Sequence, residues 1–125
     1  MYVKSAKDLE VYKLAYEQAM EIFSLSKAFP KEEKYSLTDQ VRRSSRSVCG
    51  NLREAWAKRR YIAHFVSKLT DCDGENAETD TWMEFAKDCG YITNEVYDKM
   101  KQRNKIIGQM LGSMIAKPET FCKND

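Results

Sequence analysis

The chain has 125 residues, 42% of them hydrophobic and 32% charged, with only 5 Gly and 2 Pro. That balance supports one domain with one sizeable core and excludes both a disordered chain and a turn-rich β protein. A net charge of +2 points to no partner, so any functional charge must come from local arrangement.

Lys4, Lys7, Asp8, Glu10 and Lys13 interrupt every apolar run near the start, a pattern unlike a secretory leader. The longest uncharged apolar stretch, IIGQMLGSMIA from Ile106, is too short to cross a bilayer. A cytoplasmic protein without a membrane segment is expected. Cys49, Cys72, Cys89 and Cys122 are scattered without a C-x-x-C pair, and are expected to be reduced, ordinary residues.

Apolar residues recur at helical spacing in successive blocks. Leu9, Tyr12, Tyr16, Ala19 and Phe23 predict a first helix over about 6–27, ended by Pro30. Leu37, Val41, Val48, Leu52 and Ala55 predict a second over about 37–59, with Ser36 as N-cap. Ile62, Phe65, Leu69, Cys72, Met83 and Ala86 predict a third over about 61–89, closed by Gly90. Val96, Met100, Ile107, Leu111 and Met114 predict a fourth over about 94–116, entered after Thr93 and left before Pro118. Short connections make neighbours antiparallel, so the expectation is one all-α domain, an up-down-up-down four-helix bundle. The Pro30 loop and the tail after Ala116 are expected to be its most mobile parts.

The segment FPKEEKYSLTDQVRRSSRSVCGNLREAW from Phe29, then GENAETDTWMEFAKDCGYI from Gly74, resembles the four-helix-bundle family of ribosomal-RNA intervening-sequence proteins. That family also includes accessory proteins of diversity-generating retroelements. The matching positions include Phe29, Pro30, Glu33, Tyr35, Gln40, Arg42, Arg43, Asn51, Glu54, Glu78, Gly90 and Tyr91. DLEVYKLA from Asp8 fits the family's opening helix, so the likeness covers nearly the whole chain. The resemblance implies a left-handed bundle assembling as a homopentamer. It also implies a non-enzymatic role linked to nucleic acid, either in a ribosomal-RNA context or beside a reverse transcriptase.

At 100° per residue, Arg42, Arg46, Arg53 and Arg60 fall within an arc of about 40°, with Arg43, Lys58 and Arg59 beside it or at its end. Guanidinium groups one and two turns apart suit phosphates, which makes RNA or an RNA–DNA hybrid a candidate ligand. The competing expectation is ion pairing with Asp71, Asp73, Glu75, Glu78, Asp80 and Glu84 on the third helix, within the chain or between subunits. On the fourth helix Lys101 and Lys105 share a face with Gly108 and Gly112, a second basic feature.

Gln40, Ser47, Asn51 and Glu54 lie beside the apolar arc and are expected to form a hydrogen-bonded polar seam that sets helix register, with Asn76 and Thr79 as partners. Trp56, Tyr61, Trp82 and Tyr91 exceed what one small core needs and are expected at a subunit interface. Tyr61, beside Arg60, is also placed to stack on a base. A di-iron bundle needs paired Glu-x-x-His elements, and the chain has one histidine, His64. No phosphate-binding glycine motif appears. The sequence therefore points to no cofactor, no metal and no catalysis. Two functions stay open: a nucleic-acid-associated oligomer, or a protein-interaction scaffold whose charged faces serve assembly only.

Overall fold

The fold, described for residues 3–122 in a computed structural model, is an all-α bundle of four helices. They are α1 (Glu10–Ser26), α2 (Asp39–Ala57), α3 (Ile62–Asp88) and α4 (Asn94–Ala116). Each helix packs against the next, and α4 returns to α1, leaving α1 with α3 and α2 with α4 across the diagonals. Cross-helix pairs run in opposite order along every adjacent couple. Arg42 meets Ser26 and Arg46 meets Phe23; Thr79 meets Ser44 and Lys68 meets Asn51; Tyr97 meets Asp80 and Asn104 meets Asn76; Lys99 meets Glu21 and Arg103 meets Glu17.

Local chemistry fixes the ends. A 3-10 turn at Ala6–Asp8, closed by a Ser5–Asp8 capping box, precedes α1, so the helix proper starts at Glu10 rather than at residue 6. Ser36 is not an N-cap. The chain coils from a 3-10 turn (Lys31–Glu33) through a π turn (Lys34–Thr38) directly into α2, and Ser36 bonds Glu33 inside that coil. The Pro30 connection is tied down: Phe29 is buried against Tyr91, and Tyr91 donates to Glu33 at 2.8 Å. Gly90, at φ 80, ends α3, with Tyr91 N–H reaching Ala86 O and Gly90 N–H reaching Lys87 O. Thr93 caps α4 by accepting from Val96 N–H.

The core has two apolar clusters. One gathers Val11, Ala15, Val48, Leu52, Phe65, Leu69, Cys72, Ile107 and Leu111; the other gathers Ile22, Phe29, Leu37, Val41, Met83, Tyr97 and Met100. Between them every helix contributes buried polar groups: Gln18, then Ser44 and Ser45, then Asn76 and Thr79, then Arg103 and Asn104. Burial pushes the Cys49 thiol up to about 11 and Cys72 to about 12, so neither is a ready nucleophile. Among the described residues, no helix is long and apolar enough to cross a membrane.

On α1 the core stripe is Val11–Ala15–Gln18–Ile22; of the expected series Leu9 and Ala19 are buried with it, and the aromatics are not. Tyr12 and Phe23 are only half-buried, and Tyr16 is exposed. Ile62, expected inside, is also exposed.

Candidate nucleic-acid interface

The apolar stripe of α2 turns Val41, Val48, Leu52 and Ala55 inward, which leaves its arginines outside. They divide into two groups. Arg43 is an ion-pairing residue: it bonds Glu78 at 2.8 Å and lies 3.4 Å from Glu75, and these carboxylates raise its pKa above the ordinary guanidinium value. Arg46, Arg53, Lys58 and Arg60 are exposed. Among the described residues, no carboxylate lies within ion-pair distance of these four or of Arg42.

Arg42 is half-buried, donating from Nε to Ser26 at 2.8 Å with its guanidinium 4.9 Å above the Phe23 ring. Arg46 shares that ring at 5.6 Å. Arg42, Arg46 and Gly50 line a shallow depression on α2, with Asp39 at its far end. Arg60 lies in the turn beyond Ala57, so the helical arc drawn from Arg42 does not extend to it; it sits 5.9 Å from the Tyr61 ring. Arg59 is committed to structure, stacking on Trp56 at 3.7 Å and donating to its carbonyl.

The acids of α3 are engaged unevenly. Glu75 and Glu78 take Arg43, Asp71 takes Lys68, and Asp80 accepts from Tyr97. Burial first, and that last bond second, hold the Tyr97 hydroxyl well above its ordinary pKa. Lys101 and Lys105 are exposed and line a groove between α3 and α4 with Asp80, Asp98 and Asn76. A Cβ at Gly108 would meet Asn76 at 3.6 Å, an ordinary contact, and at Gly112 it would meet nothing. Packing therefore demands neither glycine. Because α4 lies diagonally from α2, the lysine pair and the arginines belong to separate faces.

The expected polar seam is displaced. Gln40, Ser47 and Asn51 are half-buried and Glu54 is exposed. Asn51 and Glu54 instead meet Lys68, at 3.4 and 2.9 Å, which lowers the Glu54 pKa and raises that of Lys68. The interior seam belongs to other residues. Asn76 and Asn104 exchange side-chain to carbonyl bonds; Gln18 bonds Asn104 and Met100 O; Arg103 donates to Gln18 and Glu21; Thr79 meets Ser44 at 2.9 Å. Asn76 and Thr79 are thus central, but with partners unlike those expected.

The aromatics disperse. Trp56 packs against Phe121, its Nε1 buried and without a hydrogen-bond partner among the described residues. Tyr61 is exposed, edge-on to His64 at 5.3 Å. Trp82 is half-buried, donating to Glu78 and lying beside exposed Phe85, and Tyr91 belongs to the Pro30 anchor. The feature missed in sequence is α1's outer face, where Tyr16 (54% exposed) and Met20 (49%) are open to solvent and Phe23 lies under Arg42 and Arg46. The signal was the alternative stripe Val11–Ala15–Ile22, hidden because Gln18 interrupts it and tyrosine reads as core.

Residues 7–113 match the family model of the 23S rRNA-intervening sequence protein. Among solved structures, the chain is similar to a protein of the S23 ribosomal protein family from Bacteroides thetaiotaomicron. The identity is 32%, over 85% of this chain and 95% of that one, with a TM-score of 0.77. No curated protein is a significant match.

Proposed function

Because the chain belongs to the 23S rRNA-intervening sequence protein family, we propose that it is a non-catalytic, cytoplasmic, self-assembling bundle that binds nucleic acid through the outer face of α2. One observation carries the reading. Among the described residues, Arg46, Arg53, Lys58 and Arg60 have no carboxylate within ion-pair distance although α3 next door is rich in acids, of which Glu75 and Glu78 take Arg43, Asp71 takes Lys68 and Asp80 takes Tyr97. Exposed guanidinium groups two turns apart are suited to phosphates, and such binding is salt-dependent and indifferent to base order. Assembly into a ring, with a homopentamer as the expected form, would repeat a modest patch around an axis and add avidity. Tyr61 and Trp82 with Phe85 offer apolar surface for that assembly. RNA or an RNA–DNA hybrid is the ligand class, and a reverse transcriptase would be the protein partner in a retroelement context.

The test is a mobility shift with RNA at two salt concentrations, comparing the wild type with Arg46→Glu/Arg53→Glu. The expected result is binding that weakens steeply with salt and falls at least tenfold in the variant. Binding unaltered in a folded variant, or absent at low salt in the wild type, overturns the reading. In the latter case the scaffold function remains, and a pull-down dominated by one protein would support it.

A further inference from the structure

The α1–α2 face sets the exposed cations Arg46 and Arg53 beside one open ring, Tyr16. Tyr16 stacks on Tyr12, with centroids 6.3 Å apart and planes 22° apart, so its orientation is fixed while half its surface stays in water. Phe23 lies under Arg42 and Arg46. Since α1 and α2 run antiparallel from the Ser26–Arg42 contact, Tyr16 comes level with the neighbourhood of Arg53. Gly50, between Arg46 and Arg53 on α2, has no atom within 4 Å of where a Cβ would sit, so the surface there is open. The result is two guanidinium groups two helical turns apart, about 10.5 Å along the axis, beside a pre-oriented ring and the flexible Met20.

A duplex presents phosphates but keeps its base faces stacked, so it uses only the cations. An unpaired strand presents both phosphates and π-faces, and ring stacking adds an attraction independent of sequence. Resting on the proposed nucleic-acid function, we infer that this face selects single-stranded over double-stranded nucleic acid, with Arg46 and Arg53 holding the backbone and Tyr16 stacking on a base. The charge complementarity of unpaired guanidinium groups favours a polyanion over a second copy of the chain as occupant.

The experiment measures fluorescence anisotropy with a labelled single-stranded RNA and with a duplex of equal length, on the full chain. The wild type is expected to prefer the single strand. Tyr16→Ser lowers single-strand affinity roughly five- to hundredfold with little effect on the duplex, and Tyr16→Phe retains it. Arg46→Glu/Arg53→Glu weakens both ligands and flattens the salt dependence, by a slope of about 0.7 per lost phosphate contact on the single strand. Tyr16→Trp provides a second readout, its added fluorescence being quenched by the single strand. Circular dichroism confirms the fold, which an exposed side chain should not decide. Duplex bound as tightly as single strand, or Tyr16→Ser acting equally on both, overturns the selection while leaving the phosphate function standing. No binding to either overturns both. A change in oligomeric mass with single-strand binding intact also overturns it, and would make the face a contact between copies.

Discussion

Asn76 and Asn104 bond each other reciprocally: each side-chain amide donates to the other's main-chain carbonyl, at 2.8 and 3.2 Å. The pair joins α3 to α4 midway between the two apolar clusters. Asn104→Leu removes the second donor to the Asn76 carbonyl, which keeps its intrahelical bond, leaves the buried Asn76 amide facing an apolar neighbour and takes one of two acceptors from Gln18, so urea denaturation should show a loss of about 1–2 kcal/mol. A loss below about 0.5 kcal/mol would mean that water takes over these bonds.

Arg103 carries a charge into the same layer. Its side chain is 10% exposed and spans Gln18 at 2.9 Å, Glu21 at 3.0 Å and Glu17 at 3.4 Å. Replacing it by Met roughly keeps volume but leaves the Gln18 carbonyl oxygen without its donor and Glu21 with only the longer Lys99 contact at 3.7 Å, an expected cost of about 2 kcal/mol in thermal or urea unfolding. Glu17 is 64% exposed, and Glu17→Gln should change stability by no more than about 0.5 kcal/mol.

Neighbouring arginines on α2 should respond in opposite ways. Arg43→Ala removes the contacts to Glu75 and Glu78 and should cost about 0.5–1 kcal/mol of stability, discounted because half its side chain is in water, with little effect on RNA affinity. Arg46→Ala and Arg53→Ala should leave stability within about 0.5 kcal/mol and lower RNA affinity. Equal behaviour of the three in paired unfolding and binding measurements would contradict the division.

The Tyr91–Glu33 bond predicts a pH window. The Glu33 carboxylate pushes Tyr91 from 10.0 to about 12, so its contribution is full below 10.0 and fades as pH rises through about 12. Glu33 is held below 4.5, by Ser36 first and Tyr91 second, so its contribution is full above 4.5 and fades as pH falls through the depressed value. The stability gap between wild type and Tyr91→Phe should be flat between roughly pH 5 and 9.5 and narrow on both sides. A gap that does not vary with pH would assign the loss to packing against Phe29.

The helices were legible because Val41, Val48, Leu52 and Ala55 on α2, with Leu37 in the turn leading into it, and Met100, Ile107, Leu111 and Met114 on α4, repeat at helical spacing and all face inward. Ends with their own chemistry, Gly90 and Thr93, were legible too. The interior polar layer was not. Ser44 is a small hydroxyl whose burial depends on Thr79 arriving from another helix, and Gln18 depends on Arg103, more than eighty positions away. Long-range pairing leaves no periodic trace. The sequence offered Glu75 and Glu78 among the partners for the α2 arginines, and Arg43 does take them, but adjacent Arg42 and Arg43 gave no sign of which would pair there and which would be bound to Ser26.

Sliding α1 by one turn against α4 would carry Gln18 off its amide and guanidinium partners into an oily compartment, a penalty that works as a mechanical stop. The outer surface inherits its alignment from that stop. Tyr16 keeps its height beside Arg53 through groups on the far side of its own helix, which neither residue touches.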